Sequence, residues 1–448
     1  MRKPLKAYVG VYLAACLALS GCAGADELRT SAAKTVTIAM VSNPQMEDAI
    51  KLAPRFEAEH PGIDLRFVSL SENEARAKIT ASTATRSSQF DVVMISNYET
   101  AQWAKNGWLR NLSPDAARTP GYDAQDFVPS LREALSYRGD MYSMPFYGES
   151  SFLMYRKDLF ARAGITMPEN PTWEQVASYA QKLHDPAKQV GICLRGKPGW
   201  GEQLAPLNTM INTFGGRWYD EDWNPQVTSP EFTKAVSFYT DLVRKYGEPG
   251  PATAGFSECA TQFSQGKAAM WYDATSAVST VESPEDSSVA GKVGYVAAPE
   301  GKGTPNWLYS WSLGIPTTSD RPAEAWEFIS WMTSKEYIEL VGNEIGWSRV
   351  PPASRLSTYR IPEYRRVSSA YGPQTLEAMN RADPTHPTVQ PVPYTGGQFL
   401  AIPEWQDLGT RASQQISSVI AGKQSVSEAL EQVQQYAEAV GKTYQEQR

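Results

Sequence analysis

Aromatic residues alternate with charged and polar residues in five short segments of this chain. These segments are residues 147–149, 195–202, 271–273, 306–311 and 346–349. Aromatic faces pack against C–H groups, whereas carboxylates and guanidinium groups bond neighbouring hydroxyls in pairs. The mixture therefore predicts a site for a sugar or a polyol. For each tryptophan taken alone, core packing is the competing interpretation, and for each arginine or glutamate it is a surface or salt-bridge role.

The residue patterns of common catalytic sites are missing from the sequence. His60, His184 and His386 lie far apart and in no metal-ligand spacing. The sequence has no Gly-x-Ser-x-Gly elbow, no glycine-rich phosphate loop and no Cys-x-x-Cys pair. We therefore predict no catalytic residue, no metal and no cofactor. A glycoside hydrolase needs only two carboxylates, and Glu149 with Asp273 could supply them, so a glycan-active enzyme stays an alternative.

The N-terminus has the pattern of an export signal. Basic residues at positions 2, 3 and 6 precede an apolar run over residues 7–20, which is too short to span a bilayer. Residues 19–22, Leu-Ser-Gly-Cys, resemble the lipobox of bacterial lipoproteins. The resemblance implies a signal peptide at 1–21, acylation of Cys22, a tether over 22–35, and anchoring to the outer face of the cytoplasmic membrane. An ordinary signal peptide that happens to contain a cysteine is the alternative.

Charge and cysteine content narrow the class further. The net charge of −7 argues against binding to a phosphate backbone. Of the four cysteines, Cys16 would leave with the signal and Cys22 would carry lipid, so only Cys193 and Cys259 remain. An even pair outside the cytoplasm predicts one disulfide, and two buried thiols are the alternative.

The elements that must position these segments follow an α/β pattern. Strand patterns at 35–40 and 64–68 flank a helical pattern at 46–59, and residues 91–95 form the continuous apolar run of a buried parallel strand. This order predicts a right-handed βαβ lobe. Capping signals predict further helices from residues 172, 229 and 425.

Several motifs in a fixed order carry a resemblance to a known family. They are residues 56–62, 142–145, 155–160, 263–270 and 422–430. In this order the chain resembles a family 1 extracellular solute-binding protein, the ligand-capturing subunit of an ABC importer. A narrower resemblance, to the branch that binds sorbitol and mannitol, rests on residues 146–151, 194–202, 271–275, 347–352, 391–394 and 398–399. Residues 396–397 and 405–407 depart from that branch.

The resemblance implies a two-lobed periplasmic-binding-protein fold with its ligand in the cleft between the lobes. Lobe one would comprise residues 36–146 plus 313–360, and lobe two residues 147–312 plus 361–448. The implied partners are a polyol or sugar, ABC permease subunits with a cytoplasmic ATPase, and the membrane through the lipid on Cys22, with the protein itself a monomer. A maltose- or trehalose-type oligosaccharide is the alternative ligand.

The same resemblance implies roles for ten residues. Those expected to bond hydroxyls are Asn43, Glu149, Arg195, Asp273 and Arg349. Those expected to supply packing surface are Tyr147, Trp200, Trp271, Trp311 and Tyr394.

Overall fold

The computed structural model describes residues 33–305 and 307–447. The predicted signal peptide, the acylation of Cys22 and most of the predicted tether lie outside the described residues. Within these ranges, no helix combines the length and the apolar character needed to cross a membrane.

Strands alternate with helices over the first part of the described chain. The strands are β1 (Lys34–Val41), β2 (Ile63–Leu70), β3 (Val92–Ser96), β4 (Ser136–Tyr137), β5 (Asp140–Met141), β6 (Ser143–Glu149), β7 (Ser151–Arg156), β8 (Met270–Ala274), β9 (Val293–Ala297) and β10 (Tyr309–Gly314). The helices up to residue 264 are α1 (Pro44–Glu59), α2 (Glu72–Ala84), α3 (Asn97–Lys105), α4 (Ser113–Arg118), α5 (Pro129–Ala134), α6 (Lys157–Arg162), α7 (Trp173–Leu183), α8 (Leu204–Thr213), α9 (Pro230–Tyr246) and α10 (Phe256–Ser264).

The chain that follows β8 is mostly helical. Its helices are α11 (Val278–Val281), α12 (Pro322–Met332), α13 (Lys335–Glu344), α14 (Pro362–Val367), α15 (Gly372–Arg381), α16 (Trp405–Ile420) and α17 (Val426–Gln445). Short 3-10 helices lie at Ala124–Asp126, Pro251–Thr253, Thr275–Ala277, Trp347–Arg349 and Ser357–Arg360.

Lobe one is built on a five-stranded sheet in the order β2-β1-β3-β10-β6. The first three strands are parallel, and β10 runs antiparallel to both β3 and β6. Every residue of β3 is buried, as expected for a strand covered on both faces. The predicted βαβ unit is confirmed as β1-α1-β2, with the helix beginning at Pro44 because the Asn43 side chain caps it.

Lobe two surrounds a three-stranded antiparallel sheet in the order β8-β7-β9. Helix α15 packs on β7 and β9, and α16 and α17 pack on α9. The side chains of Thr172 and Ser425 form the predicted capping boxes of α7 and α17, whereas Ser229 makes no side-chain cap at α9. The α/β class and the two-lobed fold are thus confirmed.

The chain passes between the lobes slightly away from the predicted boundaries. Residues 147–149 and 309–312 were expected in lobe two, but they pair inside the five-stranded sheet of lobe one. The crossings therefore lie after Glu149 and before Tyr309. The first boundary lies further along the chain than predicted and the second lies earlier, because β6 and β10 stay paired as far as Glu149 and Tyr309, at the edge of the cleft.

A disulfide ties together two parts of lobe two. It joins Cys193, which lies beyond α7, to Cys259 in α10, and both residues are fully buried. The backbone of Cys193 also forms a parallel β-bridge with Trp271 in β8, so the disulfide holds α10 against the three-stranded sheet.

Candidate ligand-binding site

A cavity of about 460 Å³ lies between the two lobes. Volumes of roughly 300 to 1,000 Å³ are usual for small-molecule sites. Its wall is polar as well as aromatic. The lining residues are Val41, Ser42, Asn43, Ser69, Leu70, Ser71, Glu72, Glu74, Tyr147, Glu149, Arg195, Lys197, Trp200, Gly201, Glu202, Ala205, Phe256, Ser257, Glu258, Ala274, Ser276, Trp307, Tyr309, Trp311 and Gln398.

Lobe one presents strand ends and a helix start to the cavity. The carboxyl ends of β1 and β2 contribute residues 41–43 and 69–71, and α2 begins there with Glu72. This is the edge at which open α/β sheets bind ligands. Asn43 does two things here: its Oδ1 accepts from the N–H of Met46, and its Nδ2 donates to the Tyr147 hydroxyl over 3.1 Å.

Lobe two presents a loop, residues 195–202, that comes very close to α2. A Cβ on Gly201 would lie 2.1 Å from Glu72 Oε1, so any larger residue here would displace the Glu72 side chain. The Asn73 amide donates to the Pro198 carbonyl over 3.0 Å across the same contact. The two lobes are therefore closed against each other at this side of the cavity.

Arg195 is a buried cation of the cavity wall, and Asp273 binds it on the side away from the cavity. Its Nε and Nη2 donate to the two carboxylate oxygens of Asp273 over 2.9 and 2.5 Å, and its Nη1 donates to the Gly201 carbonyl over 2.8 Å. Asp273 has no exposed surface and also accepts from Trp271 Nε1 and from the N–H of Ala274. Asp273, which Trp271 in turn contacts, therefore orients Arg195, and neither of these two predicted residues lines the cavity.

Glu149 is a buried carboxylate of the cavity wall. Its Oε2 accepts from the Ser276 hydroxyl over 2.5 Å. Burial raises the pKa of Glu149 to about 7, although the Ser276 hydrogen bond and the charge of Arg195 oppose the shift. The group can thus accept from a ligand hydroxyl when ionised and donate to one when protonated.

Arg76 on α2 joins aromatic rings from both lobes. Its guanidinium lies 4.1 Å from the ring centroid of Trp200 and 4.6 Å from that of Trp311. It also donates to Glu72, Glu99 and the Tyr309 hydroxyl. The stack fixes the indole of Trp200, on lobe two, against the charge of a lobe-one helix.

Arg349 and Tyr394, the two other residues predicted to contact the ligand, do not line this cavity. Arg349 pairs with Asp48 over 2.7 Å and, across the cleft, with Asp286 over 2.7 Å, in a separate groove. Burial among apolar side chains places Tyr394 in the lobe-two core, where its hydroxyl accepts from the N–H of Trp218.

The structure brings six of the ten predicted residues to the cavity. They are Asn43, Tyr147, Glu149, Arg195, Trp200 and Trp311. Reasoning from the sequence missed Glu72, Ser276 and Gln398, which lie outside the aromatic segments, together with Glu202, Trp307 and Tyr309, which lie inside them but were not chosen. Glu72 could have been found from the sequence because it begins a helix directly after a strand, and ligands of open α/β sheets bind at that edge.

Comparison with known proteins places this geometry in a family. Residues 43–339 match the family of bacterial extracellular solute-binding proteins. The chain belongs to this family. This solute-binding protein is 43% identical to the mannitol-binding protein of Pseudomonas aeruginosa, and the match covers 94% of the present chain and 95% of the relative.

Two solved structures resemble this solute-binding protein over most of its length. An ABC transporter solute-binding protein from Agrobacterium vitis S4 with bound D-mannitol is 45% identical, with a TM-score of 0.90, covering 92% of this chain and 99% of the other. A second ABC transporter solute-binding protein, from Agrobacterium radiobacter K84 in complex with ribitol, is 27% identical with a TM-score of 0.80. The match covers 91% of this chain and 98% of the other.

Proposed function

We propose that this chain is the substrate-binding subunit of an ABC importer and captures an acyclic sugar alcohol of the mannitol type. The observation that carries the proposal is one cavity wall that combines Arg195, Glu149 and the indoles of Trp200 and Trp311. Charged groups of this kind bond vicinal hydroxyls in pairs, and the rings cover the C–H surface between them. The relatives that bind mannitol and ribitol support the same ligand class.

The six predicted residues at the cavity receive their roles in this proposal. Asn43, Glu149 and Arg195 bond hydroxyls, whereas Tyr147, Trp200 and Trp311 pack against carbon. A ligand that touches both lobes favours the closed state over an open one, because it gains contacts only on closure. The closed form is then the one presented to the permease, whose cytoplasmic ATPase drives uptake.

The N-terminal part of the proposal concerns attachment. Acylation of Cys22 after removal of residues 1–21 would hold the monomeric receptor at the outer face of the cytoplasmic membrane. The lipobox-like residues 19–22 support this step. Mass spectrometry of the membrane-extracted protein tests it, since a diacylglyceryl group on an N-terminal Cys22 is expected, and an unmodified mature N-terminus would contradict it.

Thermal unfolding with a ligand panel tests the ligand class. The soluble form beginning after Cys22 is heated with D-mannitol, sorbitol, arabitol, ribitol, maltose or trehalose. A ligand at about a hundred times its Kd stabilises the folded state by about 2.7 kcal/mol. We expect shifts with acyclic polyols alone. A shift with disaccharides alone would replace the polyol by an oligosaccharide, and no shift with any ligand would overturn the proposal.

A matched pair of variants assigns the effect to the site. Arg195→Lys keeps the charge but cannot form the bidentate pair with Asp273 that orients the side chain in the wall, so the mannitol shift should disappear. Arg411→Lys makes the same change in an exposed pair with Asp407 on α16 and should leave the shift unchanged.

A further inference from the structure

The interior of the site holds more buried carboxylates than cations. The buried acidic side chains around it are Glu99, Glu149, Glu202 and Asp273. Glu72 lines the same cavity with about 15% of its side chain exposed. The buried cations among them are Arg76 and Arg195. The balance of charge inside the closed cleft is therefore negative whenever these carboxylates are ionised.

Both buried cations already have carboxylate partners. Arg195 is bound bidentately to Asp273, and Glu202 lies 3.7 Å from its Nη1. Arg76 is paired with Glu72 over 2.9 Å and with Glu99 over 2.8 Å. Neither guanidinium carries a charge that a ligand anion could neutralise.

The remaining cation of the lining is compensated as well. Lys197 is about one-third exposed, and its Nζ lies 3.7 Å from Glu202 and 3.9 Å from Glu258. An anionic group bound in the cavity would thus meet paired cations and the carboxylates of Glu72 and Glu149. A hydroxyl would instead donate to those same oxygens.

We propose that this site selects uncharged alditols against their carboxylate and phosphate forms, and that Glu72 and Glu149 set this selectivity. The inference rests on the proposed function, which supplies the alditol. A like charge placed at a buried interface costs several kcal/mol. That penalty predicts at least a roughly hundredfold weaker affinity for an anion than for its neutral counterpart.

The test compares D-mannitol with D-mannonate by calorimetry at pH about 7.5. The two ligands differ only in that a carboxylate replaces one terminal CH2OH group. We expect mannonate to bind at least about a hundredfold more weakly to the wild-type protein. Equal binding of both would overturn the inference and leave the proposed function standing. Binding of neither would instead mean that the proposed function fails.

Variants identify the residues responsible. Glu149→Gln and Glu72→Gln remove one negative charge each from the wall and should narrow the mannitol-to-mannonate ratio at least about tenfold. Asp241→Asn removes one charge from an exposed pair with Lys245 on α9 and should leave the ratio unchanged. An unchanged ratio in both glutamine variants would overturn the assignment.

The affinities of the wild-type protein for mannonate and mannitol, measured over a pH series, test the inference even if the variants do not fold. The groups that face Glu149 are Ser276, Tyr147, Arg195, Asp273 and Glu72. Because the pKa of Glu149 is about 7, lowering the pH to about 5.5 neutralises it while mannonate stays anionic. Mannonate affinity should therefore rise relative to mannitol, and a ratio that does not change with pH would contradict the inference.

Discussion

Replacing Asp273 by asparagine should destabilise lobe two without changing its shape. Asp273 Oδ1 accepts from Arg195 Nη2 and the N–H of Ala274, and Oδ2 accepts from Arg195 Nε and Trp271 Nε1. Whichever way the asparagine amide is turned, its NH2 group faces two donors and cannot accept from them. Arg195 would also keep a buried charge without its partner.

The size of the loss follows from these contacts. Removing one partner of a buried ion pair costs about 3 to 5 kcal/mol. Two lost charge-assisted hydrogen bonds, at about 1.5 to 3 kcal/mol each, give a similar figure. We therefore expect the free energy of unfolding to fall by about 4 kcal/mol for Asp273→Asn.

Urea unfolding of the ligand-free protein, followed by tryptophan fluorescence, measures this loss. Asp241→Asn is the matched control, because it makes the same chemical change in an exposed pair, where about 0.5 kcal/mol or less is expected. A loss below about 1 kcal/mol for Asp273→Asn, with an unchanged slope, would refute the reasoning, because the buried charge of Arg195 would then be stable without its partner.

Three further predictions concern other parts of the molecule. Burial raises the pKa of Glu248 from 4.5 to about 7. Between these two pH values the folded protein keeps a proton that the unfolded chain has released, so the free energy of unfolding falls as the pH rises from 4.5 to about 7. Glu248→Gln should therefore stabilise the protein at pH about 8 by about 1 to 3 kcal/mol in urea unfolding, and not at pH about 4. Trp200→Ala removes the ring stacked on Arg76 and should weaken ligand affinity at least about tenfold in calorimetry. Asp286→Ala removes the half-exposed partner of Arg349 across the cleft, so ligand dissociation in stopped flow should quicken only about two- to fivefold, with the urea midpoint unchanged.

The sequence predicted the βαβ start of lobe one because those signals are local. Alternation in residues 35–40 and the apolar run at 91–95 need no distant partner to be recognised. The insertion of β10 between β3 and β6 has no local signal, since it joins residues that are far apart in the chain. That is why the predicted lobe boundaries fell inside β6 and β10.

The sequence likewise indicated only some of the residues in the cavity wall, because their position depends on contacts between distant parts of the chain. The aromatic-polar segments and the family resemblance together selected Glu149, Arg195 and the indoles, but neither showed which side of each strand faces the cleft. Asp273 and Trp271 belong to the predicted segment and still lie behind Arg195, because β8 is covered on both faces. Glu72 was missed because its place at the cavity depends on the close approach of Gly201 from the other lobe.

The order of strands in lobe one has a consequence for the order in which the lobe can fold. A chain that emerges from its N-terminus first would deliver β1, β2, β3 and β6 well before β10, which starts at Tyr309. The fourth position of the sheet, between β3 and β6, must stay empty until then. Pairing over such separations is slow because a large loop must close first. Lobe one therefore cannot complete its five-stranded sheet until residues 309–314 are available to pair, when more than two thirds of the chain has already been made.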